Sequence, residues 1–253
     1  MMKMNPLVSV IIPVYSGSHL LARAIDSALG QDIPLEILVV NDASPEDVDA
    51  VMAAYQGNDS VVYLKNPRNL GAAESRNRGV AQARGKYVAF LDADDCWTEG
   101  KLVRQVALLE ENGLVLCATG RELMRPDGTS MGRVISVPET ITYRSLLKHN
   151  CISCSSVLIR ADAAREFPMH HAQDSHEDYI MWLEVLRKYH TACGINEPLL
   201  KYTVSTQGKS GSKRKSAAMT YRVYQYMGFS PIQSALCFCS YAANGIWKHY
   251  IKK

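Results

Sequence analysis

The sequence contains no stretch of about 18 strongly apolar, uncharged residues, the length that a helix needs to cross a bilayer. The nearest stretch, residues 229–247, carries no charge but is diluted by glutamine, serine, asparagine and glycine. Residues 1–6 are too few and too polar for a signal peptide ahead of the first apolar run. The expected location is therefore the cytoplasm.

Two kinds of site signature are also missing. The seven cysteines are scattered, and the single Cys151-x-x-Cys154 pair has no second pair to complete a zinc site. We therefore predict ordinary buried thiols in a reducing compartment. No GxGxxG or GKS/T loop occupies a strand-to-helix turn, which argues against the usual dinucleotide-binding and phosphate-loop folds.

Acidic residues are absent from the C-terminal tail, residues 201–253, which holds nine Lys or Arg residues. The whole chain has 28 basic and 25 acidic residues, so the part before the tail has 19 basic residues against 25 acidic ones. An acidic body with a basic tail predicts that the tail meets something anionic.

What the sequence does contain is the alternating pattern of an α/β fold. The chain of 253 residues is 47% hydrophobic and 21% charged, an ordinary globular composition. Apolar runs predict buried strands, and amphipathic stretches between them predict helices, the second of which would be capped by Ser44 with Pro45 in its first turn. The strand predictions are Val8–Tyr15, Leu35–Val40, Val61–Leu64, Tyr87–Leu91, Leu114–Met124, Ser153–Ile159 and Leu199–Val204. We predict a mostly parallel central sheet flanked by helices.

Polar clusters follow three of the predicted strands, at residues 15–18, 41–44 and 92–95. In open parallel sheets, ligands bind outside the carboxyl ends of the strands. If residues 92–95 are extended, Asp92 and Asp94 point the same way and can hold Mg²⁺ or Mn²⁺. The alternative is a solvated loop in which Asp95 caps a helix that begins near Lys101.

Two further segments carry candidate functional residues. The Asn66–Gly71 turn leads into a predicted helix bearing Arg76 and Arg78, and a helix start with an arginine one turn in favours a phosphate. Arg78 is better explained as a surface residue. Glu177 and Asp178 open a predicted helix over residues 177–189, where they act either as capping acids or as a general base.

Taken together, these segments resemble family 2 glycosyltransferases with the GT-A fold. The resemblance covers about residues 6–205. It rests on five motifs in order: Val8-Ser-Val-Ile-Ile-Pro-Val-Tyr15, Val39-Val-Asn-Asp-Ala-Ser44, Asn69-Leu-Gly-Ala-Ala-Glu-Ser-Arg-Asn-Arg-Gly79, Phe90-Leu-Asp-Ala-Asp-Asp95 and Glu177-Asp178. It implies an inverting sugar transferase that uses a nucleotide-diphosphate sugar, most often UDP-linked, and a divalent cation, Mn²⁺ or Mg²⁺.

The resemblance also implies roles for individual residues. Asp178 would be the base, with Glu177 beside it, and Asp94 with Asp92 would hold the metal. Asp42 would accept a hydrogen bond from the uracil ring, and Asp92 would also face the ribose or sugar. The donor-binding set as a whole comprises Pro13, Val14, Tyr15, Asp42, Asn69, Arg76, Asp92 and Ala93.

This sequence departs from the family pattern after the last predicted strand. Tyr202-Thr-Val-Ser205 stands where relatives often have Tyr-Arg-x-His, so a histidine metal ligand is missing there. Asn41 replaces a frequent first aspartate. The Gln-x-x-Arg-Trp signature of processive synthases is also absent, which favours addition of a single sugar.

The expected division is a transferase domain over residues 1–205, with a nucleotide-sugar half at 6–100 and an acceptor half at 101–205. The family resemblance implies a glycan or polyprenyl-diphosphate-linked acceptor in bacterial surface polysaccharide synthesis, and no nucleic-acid partner. Residues 206–253 would form a basic loop and amphipathic helices that lie on the anionic inner face of the membrane. Alternatively, they fold back on the domain or form the seam of a homodimer.

Two other functions compete with this interpretation. A sugar-nucleotide nucleotidylyltransferase would need a basic, glycine-rich loop after the first strand, and Tyr15-Ser-Gly-Ser-His19 has no basic cluster. A non-catalytic module that binds sugar nucleotides or polysaccharide is the third hypothesis, and the two acidic pairs argue against it.

Overall fold

The computed structural model describes residues 5–170, 175–204 and 213–250, with side chains left out at 213 and 245–250. Within these ranges the chain alternates strands and helices. The strands are β1 Val8–Val14, β2 Leu35–Asn41, β3 Val61–Lys65, β4 Tyr87–Phe90, β5 Cys96–Trp97, β6 Leu116–Met124, β7 Ser130–Ile135, β8 Thr140–Thr142, β9 Leu158–Arg160 and β10 Thr191–Thr203. The helices are α1 Ser18–Leu29, α2 Val48–Ala53, α3 Ala72–Gln82, α4 Lys101–Asn112, α5 Tyr143–Lys148, α6 Ala161–Glu166, α7 Glu177–Tyr189, α8 Lys213–Tyr226 and α9 Pro231–Tyr250.

One sheet organises the molecule, in the order β3-β2-β1-β4-β9-β6-β10-β5. The first four strands of this order pair in parallel, as do β6 and β10. Strand β9 lies antiparallel between β4 and β6, and β5, β7 and β8 pair antiparallel with their neighbours. The predicted α/β class with a mostly parallel central sheet is confirmed.

The sheet separates two hydrophobic clusters because alternate side chains of each strand face opposite sides. On β1, Ile11 belongs to the cluster shared with α3 and α7, whereas Val10 and Ile12 belong to the cluster shared with α1 and α4. All of these side chains are fully buried. Both faces of the sheet are therefore covered, as expected for strands that read as continuous apolar runs.

Two local predictions are wrong. Helix α2 begins at Val48 and is capped by Asp47, whose carboxylate accepts from the Ala50 N–H. The Ser44 hydroxyl instead donates to the Tyr15 carbonyl at 2.7 Å. The predicted strand at residues 153–159 starts as a 3₁₀ turn, Cys154–Ser156, before the short β9.

The prediction of buried thiols holds for five of the seven cysteines, whereas Cys237 is half-buried and Cys239 is exposed. Cys151 and Cys154 are buried free thiols, and burial raises the pKa of Cys154 well above its ordinary value. Among the described helices, none is both long and apolar enough to cross a membrane.

The described part of the tail packs onto the rest of the chain. Val223 and Tyr224 of α8 are fully buried, and Val223 and Met227 belong to the same cluster as Tyr179 of α7. Helix α9 contacts α5 and α8. The division at residue 205 remains a prediction, and α8 belongs to the hydrophobic core of residues 5–204.

The burial of α8 predicts that its core-facing residues stabilise the whole domain. Val223→Ala removes two methyl groups from a fully buried site and should lower the free energy of unfolding by about 2 kcal/mol. In a chain of this size the melting temperature should fall by roughly 5 °C, as measured by circular dichroism. Gln225→Ala, at an exposed position of the same helix, is the control and should change little. Equal melting of the two variants would contradict a shared core.

Candidate active site

A cavity of about 510 Å³ opens near the carboxyl end of β4, where β4, β6, β10 and the start of α7 meet. It gathers both predicted acidic pairs, together with residues from the tail. The lining residues are Arg76, Asp92, Asp94, Arg121, Asn150, Ile152, Ser153, Cys154, His176, Glu177, Asp178, Tyr202, Thr203, Val204, Ser216 and Tyr241.

The acidic segment after β4 is a tight turn, so the predicted extended alternation is wrong. The Asp95 N–H donates to the Asp92 carbonyl at 3.0 Å. Both Asp92 and Asp94 nevertheless line the cavity. Burial raises the pKa of Asp94 to about 6, and the negative charge of Asp92 adds to that rise.

Residues far away in sequence hold this turn. Arg23 of α1 donates to the Asp94 carbonyl at 2.6 Å and to the Thr203 hydroxyl at 3.1 Å. The Thr203 hydroxyl also donates to the Asp94 carbonyl. The Asp94 backbone is thereby fixed from two directions, which leaves its carboxylate directed at the cavity.

Asp95 has a structural task that differs from the capping role considered above. Its carboxylate accepts from the Thr203 N–H at 2.8 Å, and its side chain is buried. Burial raises the pKa of Asp95 well above its ordinary value, and Asp92 and Asp94 add to the effect. Helix α4 is preceded by Gly100 in the left-handed region, φ 74°, and Asp95 takes no part in its start. Asp95 therefore joins the turn to β10.

Arg76 connects the two acidic pairs. Its guanidinium donates to the Asp92 carboxylate at 2.5 Å and lies 3.5 Å from a Glu177 carboxylate oxygen. The Arg76 and Glu177 side chains are 7% and 9% exposed. A buried arginine shared between two carboxylates fixes both side chains in place.

Asp178 is next to Glu177 in the sequence but forms no ion pair with Arg76. Its carboxylate accepts from the Tyr179 N–H at 2.8 Å and lines the cavity. Burial raises the pKa of Asp178, and the neighbouring Glu177 raises it further, whereas His176 and Arg76 oppose the shift. A half-buried acid with a raised pKa that faces a cavity has the properties expected of a general base.

The remaining members of the donor-binding set lie at the ends of β1 and β2, in the loop before α3 and, for the buried Ala93, in the turn after β4, and they do not line this cavity. Tyr15 is 46% exposed just after β1. The buried Asp42 carboxylate accepts from Asn66 at 2.7 Å and from the Leu70 and Gly71 N–H groups at 2.8 Å. Asp42 thus ties the end of β2 to the start of α3. Its predicted contact with uracil remains a prediction.

Three contributors to the site were missed from the sequence: Arg23, Arg121 and Tyr202. Arg23 lies on the side of α1 opposite its buried residues Leu21, Ala24 and Ile25, where a charge is ordinary and gives no signal. Arg121 lies within a strand and Tyr202 in a segment noted only for its missing histidine. Nothing in the local pattern distinguished either of them.

The residues present fit a divalent cation held jointly with a substrate. Among the residues that the structure describes, no three His, Cys, Asp or Glu side chains converge as a complete metal cage. Mg²⁺ in phosphate-transferring enzymes is usually held by one or two carboxylates plus phosphate oxygens. Asp92 and Asp94 provide that partial set.

Comparison with known proteins gives sequence relatives over nearly the whole chain. The profile described as Glycosyl transferase family 2 matches residues 9–166. A Bacillus subtilis protein named as the teichuronic acid biosynthesis glycosyltransferase TuaG is 35% identical over 249 residues, covering 96% of this chain and 98% of the relative. An Escherichia coli protein named UDP-Glc:alpha-D-GlcNAc-diphosphoundecaprenol beta-1,3-glucosyltransferase WfaP is 30% identical over 244 residues, covering 96% and 95%.

Solved structures share the fold at lower identity. Residues 1–349 of Staphylococcus aureus TarS, in complex with UDP-GlcNAc, align with a TM-score of 0.73 at 15% identity, covering 96% of this chain and 76% of that one. The mannosyltransferase PcManGT from Pyrobaculum calidifontis, in complex with GDP-Man and Mn²⁺, aligns with a TM-score of 0.69 at 15% identity, covering 97% and 76%. The predicted GT-A fold is confirmed.

The free carboxylate of Asp94 predicts a cation-dependent binding site. Asp94→Asn should weaken UDP binding in the presence of Mn²⁺ by at least about tenfold, because a neutral amide is a poor ligand for a hard cation. Isothermal titration of UDP with Mn²⁺ and with EDTA measures this. Asp59→Asn, at an exposed loop position, is the matched control. The metal assignment would be disproved if Mn²⁺ raised the UDP affinity of Asp94→Asn as much as that of the wild type. It would also be disproved if EDTA left the UDP affinity of the wild type unchanged.

Proposed function

The chain belongs to glycosyl transferase family 2, and from that membership we propose that it transfers one sugar, with inversion, from a UDP-linked donor to a hydroxyl of a lipid-linked glycan. The observation that carries this proposal is the shared cavity. A carboxylate pair suited to a diphosphate-bound cation, Asp92 and Asp94, lies in the same cavity as a candidate base, Asp178. Donor activation and acceptor deprotonation can then occur in one space.

The relatives support the coarser part of this function. TuaG is named for teichuronic acid biosynthesis, and WfaP for glucosyl transfer onto a GlcNAc-diphosphoundecaprenol acceptor. TarS was solved with UDP-GlcNAc, and PcManGT with GDP-Man and Mn²⁺. We therefore place the chain in bacterial polysaccharide or lipid-linked glycan synthesis, with UDP as the nucleotide to test first.

Of the adjacent acids that begin α7, Asp178 is our choice for the base. Glu177 is held by Arg76, so taking up a proton there would weaken an ion pair between largely buried groups. Asp178 has no such partner among the described residues, and its raised pKa makes it a better proton acceptor than an ordinary aspartate. Glu177 is then a positioning residue that orients Arg76.

Proton removal by Asp178 allows the acceptor oxygen to attack the anomeric carbon in one displacement, which inverts its configuration. Asp94 and Asp92 would hold the divalent cation, which when bound neutralises charge on the departing nucleoside diphosphate. Arg76 keeps the Asp92 carboxylate in place throughout. No covalent intermediate with a side chain is required.

The assignment of the base predicts different outcomes for two neighbouring variants. Asp178→Asn should lower kcat by about 10²–10⁴-fold and leave the affinity for UDP with Mn²⁺ nearly unchanged. Glu177→Gln, its matched control, should lower kcat by less. Steady-state kinetics and titration calorimetry measure both effects. A larger kcat loss in Glu177→Gln would exchange the two roles.

The direction of the Asp178 shift also predicts the pH profile. The base must be ionised, so kcat should fall as the pH drops through its pKa, and that acidic limb should lie above pH 4, roughly the ordinary value for an aspartate. Circular dichroism at each pH separates this loss from unfolding. An acidic limb at or below the ordinary value would disagree with a half-buried base.

We also propose that α9 lies on an anionic membrane surface. Ile232 and Leu236 are 75% and 66% exposed, and Cys239 and Ala243 are exposed one and two turns further along the same face. The opposite face packs inward, where the Tyr241 ring lies 6.3 Å from that of Tyr179. The tail has nine basic residues and no acidic one, which complements anionic lipid. The inner face of α9 therefore packs on the domain, and its exposed apolar face is the one that we propose contacts the membrane.

The exposed face predicts a selective loss of membrane binding. The double variant Ile232→Gln/Leu236→Gln should bind phosphatidylglycerol vesicles at least about tenfold more weakly, because two large apolar side chains are removed. Met131→Gln/Val134→Gln, which removes exposed apolar residues from β7, is the control and should bind normally. Co-sedimentation at low and high salt measures the effect. The proposal would be contradicted if the wild-type protein did not bind the vesicles. It would also be contradicted if the wild type were a dimer and only the α9 variant were monomeric.

A further inference from the structure

The cavity contains two arginines whose surroundings differ. Arg76 is paired with two carboxylates, whereas the Arg121 guanidinium has no hydrogen-bond acceptor or ion-pair partner among the described residues. The Arg121 guanidinium carbon lies 5.6 Å from the centre of the Tyr202 ring, within the range of a cation–π contact. Arg121 therefore lines the cavity with its hydrogen-bond donors unmatched by any acceptor in the described part of the chain.

A guanidinium in this position lowers the stability of the protein unless an anionic ligand pairs with it. Burial lowers the pKa of Arg121, and Tyr202 and the Asp95 and Asp178 carboxylates oppose that shift without forming an ion pair with it among the described residues. Leaving a charge largely desolvated and unpaired costs free energy. A planar guanidinium matches the paired oxygens of a phosphate or diphosphate, and stacking on an aromatic ring holds it ready for such a ligand.

The place of Arg121 in the sheet separates it from the expected donor site. The donor-binding set lies at the carboxyl ends of β1, β2 and β4 and at the start of α3, whereas Arg121 lies on β6 and contacts Tyr202 on β10. Strand β9 lies between β4 and β6. In the proposed function the donor diphosphate binds next to Asp92 and Asp94. The side of the cavity that Arg121 lines is then available to the acceptor.

Building on the proposed function, we propose that Arg121 binds a diphosphate group in the cavity, and that this group belongs to the lipid-linked acceptor. The acceptor sugar would then lie between Arg121 and Asp178, with its diphosphate held at one end and its reacting hydroxyl near the base. Arg121 is a binding residue in this scheme and takes no part in proton transfer. The donor is the other source of the same chemical group, and the experiment below separates the two.

The test compares three acceptor probes without donor: GlcNAc-α-diphospho-alkyl lipid, GlcNAc-α-phospho-alkyl lipid and GlcNAc-α-O-alkyl lipid. Wild-type protein should bind the diphospho lipid most tightly. Arg121→Gln should weaken that binding by about 10- to 100-fold and leave binding of the O-alkyl lipid unchanged. Arg121→Lys keeps the positive charge but lacks the paired N–H donors of the guanidinium, so its affinity for the diphospho lipid should fall by less. Arg144→Gln, at an exposed position outside the cavity, is the matched control.

A second arm measures UDP binding with Mn²⁺ in the same proteins. Unchanged UDP affinity in Arg121→Gln supports the acceptor as the source. A loss confined to UDP would overturn the proposal and assign Arg121 to the donor, and no loss for either ligand would overturn it completely. If Arg121→Gln does not fold, Arg121→Lys provides the same comparison.

The outcome is separable from that of the proposed function. If Arg121-dependent binding of the diphospho lipid persists but wild-type enzyme transfers no sugar from any UDP donor, the transfer proposal fails and this one stands. If transfer proceeds equally well on diphospho and O-alkyl lipids in both wild type and Arg121→Gln, the transfer proposal stands and this one fails.

Discussion

The ion bridge centred on Arg76 is the contact on which the arrangement of the site depends. Four carboxylates line one cavity, and without compensation they would repel one another and drive apart β4 and α7. Arg76 pairs with one acid from each pair, Asp92 and Glu177, and thereby joins the first half of the chain to the second. Asp94 and Asp178 are left over, and burial raises the pKa of both. The same bridge that stabilises the cavity therefore leaves the Asp94 and Asp178 carboxylates without an ion-pair partner among the described residues.

A second set of contacts fixes the backbone that carries these groups. The turn after β4 is short and acidic, and α1 and β10 hold it through Arg23, Thr203 and the buried Asp95 carboxylate. Since Thr203 ends β10 and also lines the cavity, any shift of that strand would move Asp94. The geometry of the acidic turn is thus set by residues about 70 and 110 positions away in sequence.

The sequence was informative where periodicity and chain direction decide the structure. Buried strands have continuous apolar runs, and the parallel order brings their ends to one edge, so the position of Asp92–Asp95 and the bounds of α7 followed directly. Where two neighbouring residues could play the same structural role, the sequence did not show which one would. Ser44 and Asp47 are both acceptable helix caps, and the outcome depended on the Tyr15 carbonyl, which is distant in sequence and takes the Ser44 hydroxyl. Arg23 and Arg121 owe their importance to tertiary contacts alone.

Helix α9 connects the proposed membrane surface with the cavity. Tyr241 lines the cavity and Ser216 of the preceding helix lines it too, while Ile232 and Leu236 project from the other side of α9. A helix with apolar residues on two faces is normally buried on both, whereas the described part of the chain covers only the inner face of α9. On the proposed function, the lipid chain of an acceptor would remain in the bilayer while its diphosphate and sugar reach the cavity. One helix that contacts the bilayer on one face and closes the cavity with the other would keep that distance short.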